Sequence, residues 1–580
     1  PREYFERLRQ RAPDAWIVAE KILEPGEPLR QEWPVDGTTG YDWMNDVLGV
    51  LIDVEAEASF DETHGLYRAD DRALSEIIFE AKLLAATDLL AADLNRLTNL
   101  LERIADAHDR TPYERSALRQ AIALVAACTH VYRPYIVPER GEMSKADRAI
   151  VESAVEEASR RRPDLIGPGI TLVRDALRLE LPPSPAPPDP FGMSHPPEHD
   201  FVARFQQYTA PVMAKGVEDT AFYRYHRFIA LNEVGGDPGR FGVSAADFHE
   251  RNAKRAVEYP AAMLGTSTHD TKRSEDVRAR LAVLSEVPEA WRDAVAGWFE
   301  MTSPFTVRDD VELDRETQYL FHQSVVGAWP IDVERMTQFM LKAAREAKVH
   351  TRWVGQNEAY EAALTGFIEQ SLGDEAYAAS VEQFVRRILR PGRINSLAQT
   401  LLKLTCPGVP DVYQGCELWD LSLVDPDNRR PVDYELRRRL LSSLDEQEPA
   451  DLAASLDDPD DSGRAKLHVT RRALDVRQRL PDVFASGSTY EPLPAAGPEA
   501  ARVIACMRRS GTRGSSVIAI AQRLPVGLDD WGDTAIDLPE ITGGKWKDEL
   551  SGRTMAPGRQ FVRDLLADFP VALLTSEEAT

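Results

Sequence analysis

Trp16-Ile17-Val18-Ala19-Glu20 is the stretch on which the fold turns. Its four apolar residues suit a strand covered on both faces, as in a parallel sheet. It delivers a carboxylate at its C-terminal tip, where barrel and open α/β enzymes hold their chemistry. A Glu that only begins the next loop would leave the same five residues, so the surroundings matter. Lys21-Ile22-Leu23-Glu24-Pro25-Gly26-Glu27 follows, and then Trp33-Pro34-Val35-Asp36-Gly37-Thr38-Thr39-Gly40-Tyr41-Asp42. Gly, Pro and Asp punctuate residues 21–48 as a long loop. Within it Trp33 and Tyr41 carry flat apolar faces of the kind that stack on sugar rings.

Working outward, residues 1–12 have the period of a helix. From about Asp53 to Leu181 helical patterning takes over, with Leu94, Leu97, Leu101 and Ile104 stepping by three or four residues. Glu114–Val131 and Lys145–Arg161 read as further helices of an all-α insertion. Leu181–Pro190 is rich enough in proline to be a semi-rigid extended connector. Beyond it Phe201–Tyr208, Val217–Asn232 and Ala245–Val257 read as largely helical, and Ala261–Thr268 as a strand ending in His269-Asp270. Tyr377–Leu389 and Ile394–Leu404 read as two helices, followed by a turn and short strand in Pro407–Gly415. From about Thr489 to Leu574, β-prone runs such as Arg502–Met507, Ser516–Ala521 and Val571–Leu574 alternate with turns at 511–514 and 543–544. That is the pattern of a small antiparallel β-sandwich.

A chain of 580 residues exceeds what a single core organises. Its 43% apolar and 28% charged residues are those of an ordinary globular protein. The net charge, 69 − 95 = −26, argues against nucleic acid or an anionic membrane as partner, because phosphate backbones need a cationic footprint. A neutral carbohydrate is indifferent to that charge. Cys128, Cys406, Cys416 and Cys506 are too few for a disulfide framework, and Cys406 and Cys416 have no His nearby to complete a zinc site. No metal or other cofactor is expected. No run approaches the ~18 apolar residues of a membrane helix, and no signal-peptide core is visible. The expectation is a cytoplasmic enzyme.

Three acids sit at expected strand ends: Glu20, Asp270 and Asp425. Glycoside chemistry with retention needs paired carboxylates, one to protonate the leaving oxygen and one to attack the anomeric carbon. A further carboxylate stabilises the oxocarbenium-like charge. Thr266–Asp276 is dense in hydrogen-bonding groups directly after an apolar run. His269 beside Asp270 also brings to mind a triad or a metal site. A triad wants a Gly-x-Ser-x-Gly elbow, which the chain lacks. A metal wants three ligands at recognisable spacing. A helix cap at Asp270 or Thr271 is the structural alternative.

These segments resemble the maltooligosyltrehalose synthase family, a branch of the α-amylase superfamily. Ala19–Leu23 with Gly37–Asp42 is similar to the acid/base strand and its loop. Pro211–Tyr225 and Leu231–Gly236 are similar to segments of this branch, and Thr266–Arg278 to its His-Asp strand. Pro407–Gly415 and Glu417–Tyr434 are similar to its last barrel strand and loop. The resemblance implies an α/β fold, a (β/α)8 TIM-type barrel with a large α-helical insertion and a C-terminal antiparallel β-sandwich. The implied division is a partial catalytic barrel at 1–52, the insertion and connector at 53–200, a return into the barrel at 201–485, and the sandwich at 486–580.

Carried over position by position, Glu20 is implied to be the general acid/base and Asp270 the transition-state stabiliser. His269 would bind hydroxyls of the sugar at the cleavage point, and Asp425 and Arg429 would hold that same sugar. Lys215, Glu218 and Asp219 would shape the reducing-end pocket, with Trp33 and Tyr41 stacking on substrate. The sequence departs from the family in one respect: the nucleophilic Asp belongs to a strand before the Glu20 strand. Asp14, the only Asp ahead of Glu20, lies in a helix-to-strand connection. The nucleophile and the first barrel strands are therefore expected outside this chain, on an N-terminal part of the same enzyme that could accompany it as a separate chain.

The implied reaction is an intramolecular transglycosylation. It converts the reducing-end α-1,4 bond of a maltooligosaccharide into an α,α-1,1 linkage, and a maltooligosyltrehalose trehalohydrolase would act on the product. The alternatives are an amylase-like α-1,4-glucan hydrolase and a non-catalytic glucan-binding fragment. A lid made from 21–48 and 211–236 is expected to exclude water.

Overall fold

A computed structural model describes residues 1–110, 112–185, 195–511, 514–541 and 544–577. Residues 186–190 of the expected connector, 512–513 of one expected turn and Gly543 of another lie outside the described residues. The architecture mixes helix and sheet. Among the described residues, no helix is long and apolar enough to cross a membrane.

Four very short strands organise the part that carries Glu20 and Asp270. β1 (Val18–Ala19) runs parallel to β2 (Gly37–Thr38), with Val18 opposite Gly37. β3 (Met263–Leu264) runs parallel to β4 (Val409–Pro410), with Met263 opposite Val409. The two pairs abut through glycine. A Cβ added to Gly37 (φ +150°) would stand 2.4 Å from the Cβ of Ala262, and one on Gly40 (φ +91°) 2.5 Å from the Met263 carbonyl. Only residues without a side chain allow that approach and those dihedrals.

The expected loop over 21–48 is therefore corrected. It contains β2 and then a helix, Tyr41–Gly49. Trp43, Met44, Val47 and Leu48 recur at helical spacing and are 0–2% exposed. Gly40 in the left-handed region starts that helix, so the residues read as loop punctuation are the joint between strand and helix. Val217–Asn232 is likewise corrected: it is not one helix but short turns around Ala214–Glu218, Ala221–Tyr223 and Ile229–Leu231.

The expected break near Pro391 does not occur either. One 31-residue helix, Glu375–Thr405, runs through it. Pro391 removes one backbone donor, and tertiary packing overrides that loss. Arg393 donates to the carbonyls of Ser455, Leu456 and Asp458. A Cβ on Gly392 would lie 3.0 Å from the Arg280 Cα, so the long helix presses directly on the Glu275–Ala282 helix.

The main core joins Trp43–Ile52, Phe60, Tyr67, Leu264 and the long helix to strand residues near the C-terminus such as Ile504 and Val517. A second core is purely helical. It gathers Leu94, Leu97, Leu101 and Ile104 with Leu118, Ile122, Val151 and Val173, and it extends to Phe201, Phe205 and Val212 on the Pro197–Met213 helix.

Beyond residue 488 a six-stranded antiparallel sheet has Val503–Arg509 and Ser516–Gln522 near its centre. Alternation with period two sorts its side chains. Ile504, Cys506, Val517 and Ala519 face the main core, whereas Val503, Ala505, Met507, Ile518 and Ile520 face a third cluster. A three-stranded sheet supplies Ile536 and Leu538 to that same cluster. Arg523, just past the central strand, donates to the carbonyls of Val50 and Ile52 and so ties this region to the Glu20 region.

Candidate active site

Glu20 leaves the end of β1 and is exposed. A cavity of about 690 Å³ opens there, and Glu20, Tyr41, Lys215, Glu218, Asp219, Asp270 and Asp425 all line it. The two carboxylates at positions 20 and 270 thus face one space. Their tips come together because β1–β2 and β3–β4 run parallel and side by side, so the turns that follow them emerge on the same edge.

Tyr41 bridges these turns. Its hydroxyl lies 3.0 Å from Thr268 Oγ1. Burial, reinforced by the negative charges of Asp270, Glu20 and Glu233, pushes its pKa up to about 12. It is a neutral hydrogen-bonding group at any ordinary pH.

His269 and Arg429 stand beside the cavity rather than among its lining residues. His269 Nε2 is 3.3 Å from Asp270 Oδ2, and Arg429 Nη2 is 3.6 Å from Asp270 Oδ1. Asn428 Nδ2 donates to the carbonyls of Thr268 and His269 at 3.3 and 3.1 Å, which stitches the 425–429 turn to the His269-Asp270 turn. Asp425 and Arg429 each hold a different partner: Asp425 Oδ1 accepts from Lys342 Nζ at 2.5 Å.

The opposite wall is charged. Asp219 takes Lys215 Nζ on one oxygen at 2.6 Å and Lys272 Nζ on the other at 3.0 Å. Burial opposes its charge, but the two ammonium groups win and bring its pKa down to about 2. Burial likewise opposes the Lys272 cation, yet Tyr223, Asp219 and Glu218 more than offset it and raise the pKa. Glu218 is different. Burial raises its pKa although it accepts from the Tyr132 hydroxyl and from the Gly235 amide at 3.1 Å.

Beneath the His269-Asp270 turn lies a buried ionic layer. Lys466 Nζ is 2.6 Å from Glu275 Oε1 and 2.8 Å from Asp276 Oδ2, while Lys403 Nζ is 3.3 Å from Glu275 Oε2. Asp276 Oδ2 also accepts the Asp420 amide at 2.7 Å. Buried charges persist when opposite charges face them this closely, and here the ion pairs anchor the start of the helix that follows the turn.

Trp33 stands elsewhere. It is 5% exposed, its ring lies 4.8 Å edge-on from Tyr135 and 5.5 Å from Phe5, and it lines a neighbouring cavity with Arg30 and Tyr135.

Sequence reasoning passed over Lys272, Tyr132, Lys342 and Glu346, all of which line the main cavity. Lys342 and Glu346 were legible in principle. They are four residues apart on the Val333–Ala347 helix, off the stripe made by Met336, Phe339, Met340 and Ala343. Tyr132 carries no comparable signal, since only the packing of the helical insertion against the 211–236 segment brings it in.

Two exposed carboxylates over one cavity, beside fixed cations and hydroxyls, suit acid/base work and stabilisation of positive charge on a neutral polyhydroxyl substrate.

No family model matches the chain. Two curated proteins of Mycobacterium tuberculosis strains, each described as a putative maltooligosyl trehalose synthase, are 37% identical over 590 aligned positions, which cover 100% of this chain and 68% of theirs. The maltooligosyltrehalose synthase of Arthrobacter ramosus superposes with a TM-score of 0.82 at 36% identity, over 99% of this chain and 68% of that one. A hypothetical maltooligosyl trehalose synthase of Sulfolobus tokodaii gives 0.74 at 29% identity, over 100% and 68%. With a relative 37% identical across all of this chain and two thirds of its own length, the chain belongs to the maltooligosyltrehalose synthase family.

Proposed function

We propose that this protein is an isomerase that rearranges the reducing end of a maltooligosaccharide, turning its last α-1,4 bond into an α,α-1,1 bond. The observation that carries this reading is the single cavity lined by both Glu20 and Asp270, with a Lys215–Asp219–Lys272 wall.

In that reading Glu20 protonates the departing glucose while a carboxylate captures the anomeric carbon. Asp270 stabilises the oxocarbenium-like charge that develops in the transition state of each displacement, and His269, Arg429 and Asp425 orient the sugar at the cleavage point. The departing glucose stays against Lys215, Glu218, Asp219 and Tyr41. It turns, and Glu20, now a base, takes the proton of its anomeric hydroxyl as that oxygen attacks the intermediate. Water attack instead would give hydrolysis, so the walls must exclude water. The attacking carboxylate implied by the family resemblance is an Asp on the strand before that of Glu20, and neither Asp270 nor Asp425 takes that part.

We further read β1–β4 as strands of a (β/α)8 barrel and the two C-terminal sheets as a β-sandwich. Packing supports the division drawn from sequence with two shifts: Phe60 and Tyr67 go with the main core, and the Pro197–Met213 helix with the insertion. A cytoplasmic setting and a downstream trehalohydrolase belong to the same proposal.

Incubation with maltopentaose tests it. Loss of reducing ends without free glucose supports the isomerase. Glucose or maltose as the main product makes it a hydrolase, and binding without turnover makes it a glucan-binding protein.

A further inference from the structure

Glu233 is fully buried and belongs to neither the cavity lining nor any assigned role. Its carboxylate nonetheless gathers three backbone donors from two segments. Oε1 accepts the Val234 amide at 2.9 Å and the Lys272 amide at 2.7 Å, and Oε2 accepts the Arg273 amide at 3.2 Å. Arg278 Nε stands 3.9 Å from Oε2, and among the described residues that nitrogen is buried without a hydrogen-bond partner. A carboxylate in such a place is costly unless its lone pairs are filled. Here they are, and the filling groups are the point.

Both segments supply cavity wall: Val234 on one side, Asp270 and Lys272 on the other. The Lys272 ammonium in turn sets Asp219, which holds Lys215. We propose that Glu233 is a positioning residue. It clamps the 232–235 turn to the backbone just after Asp270, and thereby fixes where Lys272 meets the departing glucose. The inference rests on the isomerase reading and deepens it. Retaining the glucose in one orientation favours transfer over hydrolysis, so a loosened clamp should act on that partition first.

An amide at 233 cannot replace the carboxylate, because its NH₂ would meet an amide N–H and lose one of the three bonds. The test compares wild type, E233Q, K272A and the double variant in product ratio from maltopentaose, in maltotriose affinity by calorimetry, and in thermal midpoint. E233Q is expected to lower the transfer-to-hydrolysis ratio about fivefold or more and to weaken maltotriose binding comparably. Added to K272A it should do almost nothing, since both act through one ammonium. A merely structural Glu233 predicts additive losses that track the folded fraction, with the product ratio unmoved; that outcome overturns the proposal. If E233Q does not fold, E233D keeps the charge and carries the same cycle. Should wild type make no 1,1-linked product, the isomerase reading fails, while the affinity cycle still decides whether Glu233 works through Lys272.

Discussion

The carboxylate of Asp219 bridges two ammonium groups, Lys272 at 3.0 Å and Lys215 at 2.6 Å, in the wall of the cavity that Glu20 faces. The two lysines come from distant segments, so one acid joins the 211–225 stretch to the turn after Asp270. Both shifts agree in direction: the acid is driven down to about 2 and Lys272 up, as expected of a pair that remains ionised despite burial.

Replacing Asp219 by Asn should therefore do two things. It leaves Lys272 with a buried charge and one fewer partner, costing about 2–5 kcal/mol in whichever step needs that geometry. The product mixture from maltopentaose should shift toward free glucose, because the departing sugar is no longer held. An unchanged mixture would show that this wall does not contact it.

Glu20→Gln should lower turnover of maltooligosaccharides about 100- to 10,000-fold, the usual worth of a positioned proton donor. A maltooligosyl fluoride departs without needing that proton, so much less of its cleavage should be lost. Equal loss on both substrates would remove Glu20 from the acid role.

How much of this was legible in the chain depends on the range of the forces involved. Glu20 could be found because it ends a short apolar run, a local signal. Asp270 follows such a run less directly, since the strand expected over 261–268 stops at Leu264 and Asp270 lies in a turn beyond it, yet both line one cavity. Glu218, which sequence placed in the same pocket, lines it too, but its bonds to Tyr132 and Gly235 are tertiary and left no trace in spacing. The Tyr41–Gly49 helix was hidden because Gly37 and Gly40, there for a close strand approach, look like loop punctuation. The break expected near Pro391 failed for the converse reason: Arg393 and the surrounding core outweigh one missing donor. Trp33 shows that an aromatic in a Gly/Pro-rich segment can serve as packing, here against Phe5 and Tyr135.

Glu286 offers a stability test away from the cavity. Burial lifts its pKa to about 8, only partly offset by the Val526 amide it accepts at 2.8 Å and by Arg502. Because the folded pKa is raised above the ordinary 4.5, its contribution to stability is fully present below pH 4.5 and is lost as pH climbs through 8. Glu286→Gln does not titrate. Relative to wild type, it should gain on the order of 1 kcal/mol or more between pH 4.5 and 8.5. Thermal melts at the two pH values check this, and a constant gap would contradict it.

Gly37 tests the strand contact on which the whole site depends. An alanine there adds a methyl 2.4 Å from the Ala262 Cβ, at a φ of +150° that L residues avoid, and backbone rather than a flexible side chain must give way. Overpacking of this kind costs about 1–3 kcal/mol, and it should also push β1–β2 away from β3–β4, separating Glu20 from Asp270. Gly26 is the control. Its φ is +82° but nothing lies within 4 Å of an added Cβ, so Gly26→Ala carries only the dihedral penalty of about 1–2 kcal/mol. If strand contact positions the two acids, Gly37→Ala loses turnover out of proportion to its fall in melting temperature and Gly26→Ala does not. Parallel losses in the two variants would mean that the acids are held by their own turns, not by the glycine-mediated approach of the strands.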